Sequence, residues 1–196
     1  MSSEAEEGAR RPVQAEPGVL VHPGADRRLA TEHWLLSTLT EHKRAAARIE
    51  WKERGATLLP MGTLMSAIRL PASLVLAAVG GAFPSGEVDR ILAQILDGGP
   101  VICDPGNRRY YAMVPASVPR TWTDALEDWR AQEVDCLGRG TGLVVPRLNL
   151  TSYQGNHALY WSVPMPSMAT LCAPLSVARL IAAGVHELGA AAGADR

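Results

Sequence analysis

The chain has 196 residues, 47% hydrophobic and 20% charged, a composition that suits one globular domain and excludes wholesale disorder. Its 19 Lys and Arg residues against 20 Asp and Glu residues give a formal net charge of −1, which excludes a uniformly basic coat but leaves room for a local basic patch. With one Phe and 5% aromatic residues, the core falls to Leu, Val, Ile and Ala.

Residues 1 to 25 carry Ser, Glu, Gly, Pro and Arg without apolar periodicity and read as a disordered tail. The domain proper is expected over residues 26–189. From Asp26, Leu35, Leu39, His42, Ala46 and Ile49 fall at helical spacings, and Gly55 follows as a left-handed stop. Ala56 to Met61 fits a short strand, with Pro60 placing its end at a sheet edge. Gly62 and Thr63 turn the chain into an apolar stretch, and Pro71 opens a helix that Gly80 and Gly81 close. Val88, Ile91, Leu92, Ile95 and Leu96 repeat with helical period up to Gly98-Gly99.

The middle of the chain reads as β structure. Pro100–Cys103 and Arg108–Val114 are expected to form a hairpin, with Pro105 and Gly106 at the centre of a type II turn. Thr121 and Asp124 have the spacing of a capping box for a helix bearing Trp122, Leu126 and Trp129. Val134–Leu137, Gly142–Val145 and Ala158–Val163 are further strands. Pro174 starts a last helix with Val177, Leu180, Ile181, Val185 and Leu188 inward, and residues 190–196 are expected to fray into a tail. This order predicts an α+β fold, a mostly antiparallel sheet with packed helices.

No apolar run approaches the roughly 18–20 residues that cross a bilayer, and the opening MSSEAEEGARR lacks the apolar centre of a secretory signal. The expected setting is cytoplasmic, without a membrane partner. Cys103, Cys136 and Cys172 are odd in number and dispersed, against a disulfide framework or a zinc site. The five His residues lack H-x-x-x-H and H-E-x-x-H spacings, and neither a phosphate-loop nor a serine-elbow motif occurs. Gly138-x-Gly140-x-Gly142 leads into Leu143-Val144-Val145-Pro146, a strand, whereas dinucleotide glycines lead into a helix; a turn is expected. No strand carries D-x-D or D-x-E, so no metal site is expected. The sharpest local feature is Arg108-Arg109-Tyr110-Tyr111. Strand alternation sends Arg109 and Tyr111 to one face, where a guanidinium beside an aromatic ring suits phosphate and base contacts; the bland alternative is an edge strand with one buried Tyr and solvated arginines.

Four segments in order resemble the amino-terminal domain of bifunctional DNA primase/polymerases, a branch of the archaeo-eukaryotic primase superfamily, and the composition resembles short actinobacterial relatives. Arg54-Gly55-Ala56-Thr57-Leu58-Leu59-Pro60 resembles the family's opening helix end and first strand. Gly106-Asn107-Arg108-Arg109-Tyr110-Tyr111-Ala112-Met113-Val114-Pro115 is similar to its Gly-Arg-His strand, and Val134 to Pro146 to its Val-Asp-x-x-Gly-x-Gly-Gly strand pair. Tyr160-Trp161 resembles the aromatic pair ending the next strand. The resemblance implies nucleic acid or nucleotide as ligand, with Arg108, Arg109, Tyr111, Arg139 and Arg147 as contacts. It also shows departures. The family's acidic pair has no counterpart, because Gly62 to Gly99 reads as mostly helical and apolar. Arg109 replaces the His, and only Asp135 matches a later acidic residue.

The expected function is therefore a primase/polymerase-like domain with a degenerate active site that binds nucleic acid or nucleotide without a cofactor. A second reading keeps the enzyme, with Asp104 beside Asp135 holding Mg or Mn as nucleotidyltransferase ligands. A third is a ligand-free interaction or regulatory module with a protein partner, in which the apolar Leu64–Val79 segment forms the contact.

Overall fold

A computed structural model of the chain describes residues 13–16, 19–21, 23–155 and 158–194. The architecture is α+β with antiparallel sheets, as the order of segments predicts. The chain enters through β1 (Val13–Glu16) and β2 (Val19–Val21), which pair antiparallel. These two strands fall within the segment expected to be an irregular tail; residues 1–12 lie outside the described residues.

Helices α1 (Pro23–Leu36) and α2 (Glu41–Arg54) follow. One helix was expected here, and the break has a visible cause. The Ser37 hydroxyl donates to the Trp34 carbonyl at 2.7 Å and the Thr38 hydroxyl to the Leu35 carbonyl at 2.7 Å, so side chains take over the last-turn acceptors. The break shifts the phase of the apolar stripe. Leu35, Leu36, Ala47 and Trp51 are buried, while Ile49 is 55% exposed and His42 and Ala46 face solvent. Gly55 caps α2 in the left-handed conformation (φ 74°), donating to the Trp51 carbonyl.

The centre is a five-stranded antiparallel sheet in the order β7-β4-β6-β5-β9: β4 (Met65–Pro71), β5 (Val101–Asp104), β6 (Arg109–Pro115), β7 (Asp135–Leu137) and β9 (Tyr160–Val163). A separate ribbon pairs β3 (Ala56–Pro60) with β8 (Gly142–Pro146). The pleat divides the sheet's side chains between two cores. Ile68, Leu70, Cys103, Tyr110, Ala112 and Tyr160 pack with α3 (Ala72–Val79), α4 (Gly86–Ile95) and α7 (Pro174–Ala194). Met65, Ala67, Ile102, Met113 and Trp161 pack with α1, α2 and the β3–β8 ribbon.

Being covered on both sides is why β4 reads as a continuous apolar run. It has no polar alternation to mark it as a strand, and its Ala and Leu residues favour helix. The region Gly62–Gly99, expected to be mostly helical, therefore contributes an interior strand of the sheet, between β7 and β6. The same burial removes the expected apolar contact surface, since Met65, Ile68, Leu70, Leu74 and Val75 are all 0–1% exposed.

Smaller differences are local. Gly106 keeps a negative φ, and Arg108 takes the left-handed value (φ 52°) instead, so the β5–β6 turn is not type II. Its shape comes from Asp104, whose carboxylate accepts from the Asn107 backbone N–H at 3.0 Å and from Asn107 Nδ2 at 2.8 Å. The Thr121 hydroxyl bonds back to the Ser117 carbonyl instead of capping forward, and the segment forms two short helices, α5 (Val118–Thr121) and α6 (Thr123–Trp129). Helix α7 continues through Gly189 to Ala194, where a frayed tail was expected. At 21 residues it is long and apolar enough to cross a membrane by length and composition, longer than any apolar run marked from the sequence. Its Val177, Leu180, Ile181 and Gly184 are buried against the domain.

Gly184 sets how closely α7 approaches α3. A Cβ there would stand 2.4 Å from the Leu74 carbonyl oxygen and 2.9 Å from Leu74 Cγ. In an open helix Gly→Ala gains up to about 1 kcal/mol, whereas overpacking costs about 1–3 kcal/mol. Gly184→Ala is expected to lower the midpoint of a circular-dichroism melt; a raised midpoint would show that α7 lifts freely.

Candidate functional site

The sequence-marked strand residues meet at one end of the central sheet. Across it, Asp135 on β7 stands in register with Arg69 on β4, and Arg69 with Tyr111 on β6. One step further out, Pro71, Arg109 and Asp104 form the next row. The Arg69 guanidinium donates through Nη2 to the Asp135 carboxylate, while its Nε is buried without a hydrogen-bond partner among the described residues. Arg109 donates through Nη2 to Glu133 Oε2 at 2.9 Å. Glu133 reaches this position from a left-handed residue (φ 56°) just after α6 and its one-turn 3₁₀ extension, Arg130–Gln132.

Tyr111 is half-buried among these charges. Burial raises its phenol pKa, with the Asp104 carboxylate adding to the effect and the Arg69 and Arg109 guanidinium groups opposing it. The phenol therefore stays protonated and can donate near neutral pH. Strand alternation has the expected consequence. Tyr110 is on the opposite face in the other core, edge-on to Phe83 with ring centroids 5.5 Å apart, and the Arg108 guanidinium lies 4.9 Å from the centre of the Phe83 ring. Arg108 and Arg109 thus leave the sheet on different sides.

The two candidate carboxylates do not converge. Asp104 and Asp135 are on β5 and β7, three strand spacings apart, or roughly 14 Å. Two-metal chemistry needs carboxylates that share ions only about 4 Å apart. The oxygens are also engaged, by Arg69 in one case and Asn107 in the other. These residues do not fit a pair of divalent ions. Among the described residues, no group of three or more His, Cys, Asp and Glu side chains is placed to hold a metal. Arg69 is the one charged residue on β4.

The remaining predicted contacts lie elsewhere. Gly138 to Thr141 form the turn expected of the glycine run, closed by the Thr141 N–H and hydroxyl on the Gly138 carbonyl at 3.1 and 2.6 Å. Arg139, in that turn, lines a pocket of about 330 Å³ with Gly62, Pro119 and Arg120, at the β4 end opposite Arg69. Arg147, just past β8, lines a different cleft with Arg28 and Asn149. The five predicted contacts are therefore spread over four locations.

Sequence reasoning missed Arg69 and Glu133. A lone charge inside an apolar run was the signal for Arg69. Glu133 had none, because its role depends on the turn that brings it to Arg109. It also missed a polar cluster in the opposite core. There Asp89 on α4 accepts from the Tyr160 hydroxyl at 3.1 Å and, through a short bond, from the Ser162 hydroxyl. Burial raises the Asp89 pKa, and those two hydrogen bonds oppose the shift. The neighbouring Cys103 thiol is pushed up to about 12, mainly by burial, so it remains a thiol. Comparison of the chain with family models, curated proteins and solved structures finds no match.

Proposed function

We propose that this chain is a primase/polymerase-like domain without a complete two-metal site, and that it binds nucleic acid or nucleotide at the end of the central sheet. The observation that carries this reading is the Arg69–Asp135 pair. A guanidinium stands where a second metal-holding carboxylate would be needed, and it neutralises the one carboxylate present. Arg109 and Tyr111 on the same face supply a cation and a half-buried ring, the two groups that hold a backbone phosphate and a base.

Fluorescence anisotropy with labelled oligothymidylate at rising salt tests the proposal. Wild type is expected to bind at low salt, with affinity falling as salt rises. Arg109→Ala lowers the salt slope by about 0.7 for the lost phosphate contact. Tyr111→Ala costs about 1–3 kcal/mol if one base stacks there. Flat, salt-independent signals for wild type and both variants would reject the reading. Manganese-dependent nucleotide incorporation abolished by Asp135→Ala would restore the enzyme.

A protein-partner reading is supported by a different surface from the one the sequence suggested. Leu58 and Val144 stand directly opposite each other on the outer face of the β3–β8 ribbon, 60% and 40% exposed. Sedimentation showing concentration-dependent mass, together with no oligonucleotide binding, is the outcome that favours it.

A further inference from the structure

Arg28 on α1 and Arg147 after β8 both line a cleft of about 370 Å³, together with the buried Trp51 and with Leu29, Leu148 and Asn149. A second hollow of about 310 Å³ shares Arg28 and Leu148 with it and continues past Thr31 to Met165. Together they have the size of a small-ligand site. Neither Arg28 nor Arg147 has an ion-pair or side-chain hydrogen-bond partner among the described residues. Among the described residues, the one acid in the cleft, Glu32, is engaged by Arg48 at 3.3 Å. Positive charge is thus concentrated here in a chain whose net charge is −1.

The frame behind the cleft is fixed. The Arg147 N–H donates to the Gly55 carbonyl at 2.7 Å, and the Arg147 carbonyl accepts from the Leu150 N–H at 2.9 Å. The Trp51 indole N–H donates to the Val145 carbonyl at 2.8 Å, which holds the ring in place. Arginines from two separate elements, each with its fork of donors unspent, match the oxygens of a phosphate, and the apolar walls beyond them match an organic body.

We infer that this cleft binds a small organic phosphate of about nucleotide size, with Arg28 and Arg147 on the phosphate. The site is distinct from the sheet end and does not depend on the reading proposed for it. Titration calorimetry with AMP and with inorganic phosphate tests the inference on the full chain. AMP is expected to bind more tightly than phosphate, and Arg28→Gln and Arg147→Gln are each expected to weaken AMP at least tenfold. Arg179→Ala, at an exposed arginine of α7 that lines neither hollow, should bind AMP as wild type does. Arg28 and Arg147 are both exposed, and among the described residues no hydrogen bond depends on the Arg28 side chain, so both variants are expected to keep the wild-type melting midpoint. The inference fails if AMP does not bind at millimolar concentration, if phosphate binds as tightly as AMP, or if both glutamine variants bind AMP normally. AMP binding lost only in Arg109→Ala would move the ligand to the sheet end and also overturn it.

Discussion

Gly62→Ala is expected to be among the most damaging single-methyl changes in this chain, costing about 2–5 kcal/mol from left-handed strain and overpacking together. Gly62 has φ 85°, a value that costs residues with a Cβ. Its N–H also donates to the Met65 carbonyl at 2.6 Å, closing the turn from β3 into β4. An added Cβ would stand 2.2 Å from the Arg139 backbone nitrogen and 2.6 Å from Arg139 Cα. Those atoms are main chain in the β7–β8 turn and cannot swing aside as a side-chain tip would. Gly140→Ala provides the contrast, because it has φ 87° with nothing within 4 Å of the new carbon. Only the conformational cost of about 1–2 kcal/mol applies there. Urea unfolding should show a much larger loss of midpoint for Gly62→Ala than for Gly140→Ala. Equal losses would mean that the two turns are not packed against each other.

Asp89→Ala is expected to be the next most costly. It leaves the hydroxyls of Tyr160 and Ser162, residues only 2% and 6% exposed, without their acceptor. Each unsatisfied buried group costs about 1–3 kcal/mol. Asp89→Asn keeps an acceptor and removes the buried charge, so it should be far milder. The pH dependence has a definite sign. Burial raises the folded-state pKa of Asp89 above its unfolded value, so the native state holds this proton more tightly than the unfolded chain does. This group's contribution to stability is greatest below the unfolded carboxylate pKa and falls as pH rises through the folded pKa. Above that window the charged form carries the desolvation penalty. The stability difference between wild type and Asp89→Asn, measured by urea unfolding from pH 3.5 upward, should therefore shift against wild type as pH rises. A difference that stays level across that range would show that Asp89 is solvated.

The parts of the fold legible in the sequence are those with a one-sided environment. Helix α4 shows its period because one face meets the core and the other meets water, and Val88 and Leu92 are buried as the spacing requires. The β5–β6 hairpin was marked by the turn residues between two apolar runs, although Asp104 and Asn107 set its turn type through side-chain bonds. Strand β4 was not legible, since a segment covered on both faces carries no alternation.

The candidate site divides along the same line. Strand alternation alone put Arg109 and Tyr111 on one face and Tyr110 on the other, because the period of two is local geometry. Whether carboxylates converge was not local. Asp104 and Asp135 are 31 positions apart in the chain, and only the order β7-β4-β6-β5 sets three strand spacings between them and places Arg69 beside Asp135. Composition and periodicity by themselves determined an α+β domain with an Arg-Tyr strand. Tertiary pairing decided which groups satisfy one another, because the partners of Arg69, Arg109 and Asp89 come from distant segments whose meeting no local pattern encodes.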